Sequence, residues 1–137
     1  MLNNSSMPSS IIIPVLSYTD VRGAVAWLVA TFGFAERLRI GDHRAQLTFG
    51  GGDIVVAQGS TVTGPAMHSI MVRVADVDGH FRHAKSSGAT ILSEPETFPY
   101  GERQYSVADI GGHVWTFSQS VADIDPRKWG GVLASRD

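Results

Sequence analysis

Cysteine is absent from this chain of 137 residues, and charged residues are few. Without a thiol the chain can form neither a disulfide framework nor a thiolate metal site. Charged residues make up 18% of the chain, the formal net charge is −2 and there is no basic block, so nucleic acid is not an expected partner. The hydrophobic fraction of 43% is nevertheless enough for the core of one ordinary domain.

Long apolar runs are also missing. The longest stretch, Ala24 to Ala30, is far too short to cross a bilayer, so no membrane association is expected. Residues 1–10 are polar and lack the basic start and apolar middle of a signal peptide, which makes them a predicted flexible N-terminal arm. A cytoplasmic location is the corresponding expectation.

Hydrophobic periodicity and turn residues predict the same order of elements twice: strand, helix and three strands. Asp20 and Asp76 have the short side chains that cap helices, and Gly33 and Gly88 are expected to end those two helices. The predicted strands are Ile11 to Tyr18, Arg37 to Ile40, Arg44 to Phe49, Ile54 to Gln58, Ser69 to Val74, Thr90 to Leu92, Arg103 to Val107 and Val114 to Ser118.

The two halves also match as sequences. Asp20-Val21 aligns with Asp76-Val77, Arg44 with Arg103, and Gly52-Asp53-Ile54-Val55-Val56 with Gly112-His113-Val114-Trp115-Thr116. The matches predict an α+β fold of paired βαβββ modules forming a curved eight-stranded open sheet or cup. The expected boundaries are residues 1–10 for the arm, 11–59 for the first module, 60–67 for a linker, 68–120 for the second module and 121–137 for a C-terminal tail.

The closing segment resembles a known family. Phe98 to Val107, then Asp109 and Gly112-His113-Val114-Trp115-Thr116-Phe117, is similar to the last strands of glyoxalase/bleomycin-resistance proteins of the vicinal oxygen chelate superfamily. The helix openings Asp20-Val21 and Asp76-Val77 and the helix exit Phe32-Gly33-Phe34 resemble the same family. The resemblance implies paired βαβββ modules, a cavity for a small-molecule ligand and a homodimer. The family includes metal-dependent enzymes and metal-free binding proteins, so the fold does not decide the function.

Enzymes of this family carry His, Gln or Glu metal ligands on the first and last strand of each module. Carried over to this chain, the four positions fall on Ile13, Val56, Ser69 and Thr116. Two of these side chains have no donor atom and two are hydroxyls, so no metal and no other cofactor is expected. A register slip of one residue brings in His68, and Gln58 lies on the same strand as Val56, but this alternative still supplies only two donors.

Strand alternation predicts which side chains face a ligand. The expected pocket residues are Ile13, Val15, Val56, Gln58, Ser69, Met71, Arg73 and Thr116, with Tyr105 either in the core or in the pocket. This lining is mostly apolar with a few hydroxyl and amide groups, which favours binding of a partly apolar or aromatic molecule.

No catalytic residues are predicted, because none of the five histidines has a visible partner. His80 and His83 are expected on a solvated helix face, His43 in an exposed turn, and His113 in a structural hydrogen bond. Three functions remain open: a metal-free small-molecule-binding protein, a metal-dependent lyase, isomerase or dioxygenase with a displaced site, and a ligand-sensing or interaction module without catalysis.

Overall fold

A computed structural model describes residues 2–60 and 68–133 of the chain. Most of the predicted linker 60–67 and the end of the tail lie outside the described residues. The elements are β1 (Val15–Tyr18), α1 (Val21–Phe32), β2 (Ala35–Ile40), β3 (Arg44–Phe49), β4 (Gly52–Gln58), β5 (Ser69–Arg73), α2 (Val77–Ser86), β6 (Thr90–Thr97), β7 (Glu102–Ala108), β8 (Val114–Ser120) and a 3-10 turn at Pro126–Trp129.

The strands form two four-stranded mixed sheets with the same topology, as the internal repeat predicts. The order is β1-β4-β3-β2 in the first sheet and β5-β8-β7-β6 in the second. In each sheet the first and last strands of the module are parallel neighbours, and the other pairs are antiparallel. The chain divides into two compact units, Met1–Met67 with Asp109–His113, and His68–Ala108 with Val114–Asp137.

The predicted helix caps are confirmed. The Asp20 carboxylate accepts from the Gly23 amide at 3.0 Å, and the Asp76 carboxylate accepts from the Gly79 amide at 3.1 Å. Gly33 ends α1 in the left-handed region with φ of 91°, where a side chain would be strained. No helix of the described chain is both long and apolar enough to span a membrane.

Two strand boundaries differ from the prediction by more than two residues. The first strand begins at Val15, whereas Ile11 and Ile12 precede the sheet and are each 84% exposed. Strand β6 continues past Leu92 to Thr97 despite Pro95. A proline is tolerated there because β6 is an edge strand and its register is broken by irregularities on either side of Ser93.

Each unit has its own core between its helix and one face of its sheet. In the first unit, Leu28 and Phe32 of α1 are buried with Leu16 and Leu47 of the sheet. In the second unit the helix-side residues of the sheet that are fully buried are Tyr105, Val107, Trp115 and Phe117. In each sheet the opposite face, here called the open face, bears no helix of its own unit.

Candidate functional site

The open face of the second sheet is defined by its hydrogen-bond register. Paired residues of neighbouring strands point to the same side, so the side chains opposite the buried Trp115 and Phe117 share one surface. This second-sheet open face comprises Ser69, Met71, Arg73, Val114, Thr116, Ser118, Ala108, Ser106 and Gln104. Met71 is 64% exposed, which leaves a large apolar side chain in solvent.

Four predicted pocket residues lie on this face: Ser69, Met71, Arg73 and Thr116. The predicted alternation of β5 is confirmed, because Ile70 and Val72 are less exposed than these strand neighbours. That the four contact a ligand stays a prediction.

Tyr105 does not belong to this face. It pairs with Phe117 on the helix side and is fully buried, so its place is the core, the first of the two predicted alternatives. Its hydroxyl lies 2.5 Å from Nδ1 of His80, and burial raises the pKa of Tyr105 well above its ordinary value. The His80 ring lies 4.0 Å from that of Phe117, centroid to centroid. The prediction of a solvated His80 is therefore wrong, because the ring is half-buried among aromatic side chains.

The predicted facing of β4 is also wrong. Val56 pairs with Leu16, points into the core on the α1 side of the sheet and has no solvent-accessible surface. Gln58 pairs with Tyr18 and points to the same side of the sheet as Val56, although it is exposed at the end of the strand. Val55 pairs with Val15 and therefore lies on the open face of the first sheet. Ile54, Val55 and Val56 are all aliphatic and all buried, so the hydrophobic pattern does not show which of them point toward the helix.

The N-terminal arm covers part of the open face of the first sheet. Nε2 of Gln46 donates to the Ser6 carbonyl at 2.8 Å, and Arg37 donates to the Ser5 carbonyl at 2.8 Å. Ser10 Oγ donates to Asp53 at 2.6 Å. Gln46 and Val55 are each only 3% exposed. Of the remaining predicted pocket residues in this unit, Ile13 precedes β1 and is half-buried, and Val15 is 54% exposed.

The residues at the family's metal positions do not fit a metal ion. Ile13 has no donor, and neither Val56 nor its open-face neighbour Val55 supplies one. Ser69 and Thr116 are hydroxyls, which are poor ligands while protonated. Within residues 2–60 and 68–133 there is no group of three or more His, Asp or Glu side chains suited to holding a metal.

A chain of polar side chains crosses the second-sheet open face. Tyr100 donates to Oε1 of Gln104 at 3.1 Å, Nε2 of Gln104 donates to Ser118 at 3.1 Å, and Ser118 donates to Oε1 of Glu102 at 2.7 Å. Hydrogen bonds from Ser120 and Ser118, with a smaller contribution from the charge of Arg73, lower the pKa of Glu102.

A separate hydroxyl pair occupies the centre of the same face, where Ser106 and Thr116 lie 2.9 Å apart. Glu102, Gln104 and Ser106 lie on this face but were not among the predicted pocket residues. These residues are spaced two apart on β7, and this spacing indicates that their side chains point to the same side of the sheet.

A second polar cluster is buried in the first unit, and its hydrogen bonds hold a loop in place. Tyr18 donates to Asp109 at 2.5 Å, and the other oxygen of Asp109 accepts from the amides of Gly111 and His113 at 2.9 Å each. Nε2 of His113 donates to the Ser17 carbonyl at 2.8 Å, which confirms the predicted hydrogen bond. These contacts fix the β7–β8 loop, 109–113, within the first unit.

The chain matches known proteins over most of its length. Residues 11–117 match the model of the Glyoxalase/Bleomycin resistance protein/Dioxygenase superfamily. TioX from Micromonospora sp. ML1 is 38% identical, with a TM-score of 0.70, over 82% of this chain and 99% of that one. The fold and the family match together define a protein with paired βαβββ modules, and the chain belongs to the Glyoxalase/Bleomycin resistance protein/Dioxygenase superfamily.

Two further comparisons are more limited. The fosfomycin resistance protein FosX from Listeria monocytogenes shares the fold with a TM-score of 0.71 at 19% identity, over 82% of this chain and 92% of that one. An uncharacterized protein from Mycobacterium bovis is 37% identical over 57 residues, which are 42% of this chain. The match spans 38% of the length of that curated relative.

Proposed function

We propose that this protein binds a partly apolar or aromatic small molecule on its second-sheet open face, without a metal ion. The observation that carries the proposal is the exposed side chain of Met71, which is paired in register with Thr116 beside the hydroxyl of Ser106. An apolar surface bordered by a few fixed polar groups is the usual composition of a small-molecule site.

The donor set supports binding rather than metal-assisted catalysis. The family positions carry isoleucine, valine, serine and threonine, and hydroxyls and alkyl groups do not polarise a substrate as a bound divalent ion does. Membership of the superfamily supports a small-molecule ligand in general. A cytoplasmic location and a homodimer are parts of the same proposal.

The second sheet is the better candidate because its open face is accessible. In the first sheet, Gln46 and Val55 occupy the corresponding place and are each 3% exposed, and Gln46 is hydrogen-bonded to the arm. In the second sheet, Met71 is 64% exposed and Thr116 is half-buried. The ligand would lie flat against β5 and β8, with its polar groups toward β7.

A thermal-shift screen with aromatic amines, alcohols and acids tests the proposal, with a chelator present throughout. A ligand that binds the folded state raises the midpoint of unfolding in proportion to its saturation. Thr116→Trp should abolish the shift because the indole fills the centre of the face.

Ser87→Trp is the matched control, since it adds the same side chain at an exposed position at the end of α2. This variant should keep the shift. A shift that appears only after a divalent metal is added, or that survives in Thr116→Trp, would contradict the proposal.

A further inference from the structure

Glu102 receives a hydrogen bond whose direction is fixed by chemistry. A carboxylate oxygen can only accept, so the hydroxyl of Ser118 must donate to it across 2.7 Å. The same hydroxyl oxygen then accepts from the amide nitrogen of Gln104 at 3.1 Å. Ser118 is 2% exposed, so this arrangement is sheltered from competing water.

The same donor-to-acceptor direction holds for the next hydrogen bonds of the chain, at Gln104 and Tyr100. Because the Gln104 amide nitrogen donates to Ser118, its oxygen is free to accept the Tyr100 hydroxyl proton at 3.1 Å. The three hydrogen bonds of this chain therefore all run in one direction, from Tyr100 toward Glu102. Glu102, at the accepting end of the chain, is half-buried, and only one of its two carboxylate oxygens accepts from Ser118.

The negative charge at Glu102 is not neutralised by direct contact. Among the described residues, no ion pair within 4.0 Å includes Glu102. Arg73, whose charge helps to lower the pKa of Glu102, lies on β5 in register with Ser118 and is exposed to solvent. Glu96, at the other edge, pairs with Gln104 and adds a second carboxylate. The polar end thus has two anionic groups and one cationic group.

The apolar end of the face begins at Thr116, two residues before Ser118 on β8. Met71 pairs with Thr116, and Val114 lies two residues before Thr116 on β8. The Glu102 carboxylate turns back over Ser118, two residues beyond Thr116, which is roughly 6–7 Å along a strand. A ligand whose aromatic ring contacts Met71 can therefore bring a polar group to Glu102 when two or three bonds separate that group from the ring.

We propose that the second-sheet open face selects ligands that carry an ammonium or guanidinium group next to an aromatic or aliphatic part, with the cation held by Glu102 and the apolar part by Met71 and Val114. The proposal rests on the proposed function of the same face and adds the chemical class of its ligand. Glu102 is the residue that determines specificity, and Ser118 and Gln104 are positioning residues.

The test compares three probes of one shape by calorimetric titration of the whole chain in chelator: naphthylethylamine, naphthylethanol and naphthylacetate. The amine should bind roughly tenfold or more tightly than the alcohol, as expected for a hydrogen bond to a charged group. This advantage should shrink as salt is added, because the site is partly exposed. Naphthylacetate should bind most weakly.

Glu102→Gln should remove the preference for the amine over the alcohol, and the unfolding midpoint of the variant without ligand reports whether it is folded. Glu94→Gln is the control, because it removes the same charge from an exposed position on the edge strand β6. Ser118→Ala should lower the preference for the amine without abolishing it.

The outcomes separate the two proposals. If the amine and the alcohol bind equally to the natural chain, or if Glu102→Gln keeps the preference, the cation proposal is overturned while ligand binding stands. If naphthylacetate binds most tightly and Arg73→Ala removes its binding, the face is selective for anions and the cation proposal is likewise overturned. If none of the three probes binds, the proposed function itself fails.

Discussion

The hydroxyl of Tyr18 offers a sharp test of the first unit. Its side chain is 1% exposed, and the hydroxyl donates to Asp109 at 2.5 Å. Burial, followed by the negative charge of Asp109 and this hydrogen bond, raises the pKa of Tyr18 far above its ordinary value. Tyr18→Phe removes the hydroxyl and keeps the ring, so the substitution isolates the hydrogen bond.

The expected magnitude depends on pH. At neutral pH the loss of a hydrogen bond to a charged acceptor should lower the free energy of unfolding by about 1.5–3 kcal/mol. Above about pH 10 the unfolded natural chain loses the Tyr18 proton, whereas the folded chain keeps it. The natural chain therefore loses about 1.4 kcal/mol of stability per pH unit from this group, and the phenylalanine variant does not.

The assay is urea unfolding of both chains, followed by tryptophan fluorescence, at about pH 7.5 and at several values between about pH 10 and 11.5. The difference in the free energy of unfolding should be constant below about pH 10 and should shrink toward zero near about pH 11.5. Ionisation of other groups is common to both chains and cancels in the difference. A difference that stays constant across the whole range would refute the buried, high-pKa state of Tyr18.

Four further outcomes are expected. Gly111→Ala places a Cβ at 2.5 Å from the Tyr18 ring and should lower the free energy of unfolding by about 1–3 kcal/mol in urea titrations, whereas Gly51→Ala meets no atom within 4 Å and should be nearly neutral. Val55→Cys, in a chain with no other thiol, should react slowly with a thiol reagent, and deletion of residues 2–9 should speed this labelling. Elemental analysis of protein purified without chelator should find less than stoichiometric divalent metal. Light scattering at micromolar concentration should give twice the 14.7 kDa chain mass, and a monomer would contradict the dimer.

Local signals predicted the architecture well. The capping side chains of Asp20 and Asp76 and the terminating Gly33 act over one helical turn, so their chemistry can be read from neighbouring residues. The facing of β5 could also be predicted, because the polar Ser69 and Arg73 point to one side and the β-branched Ile70 and Val72 point to the other.

Other features depend on contacts that no local pattern encodes. The side of the sheet to which Val56 points is set by its pairing with Leu16 on the neighbouring strand. The sequence does not reveal it, because Val56 lies in a run of three buried aliphatic residues. The half-buried position of His80 follows from the aromatic rings of Tyr105 and Phe117, which lie on distant strands. The orientation of Glu102 depends on a hydrogen bond to Ser118 that spans two strands.

The most direct test of metal-free binding on the second-sheet open face is a map of backbone amide chemical shifts while naphthylethylamine is added in the presence of chelator. The largest changes should occur at Met71, Gln104 and Thr116, with small changes at Val55, which is buried in the first unit. Changes confined to the first unit, or no changes until a divalent metal is supplied, would contradict the account.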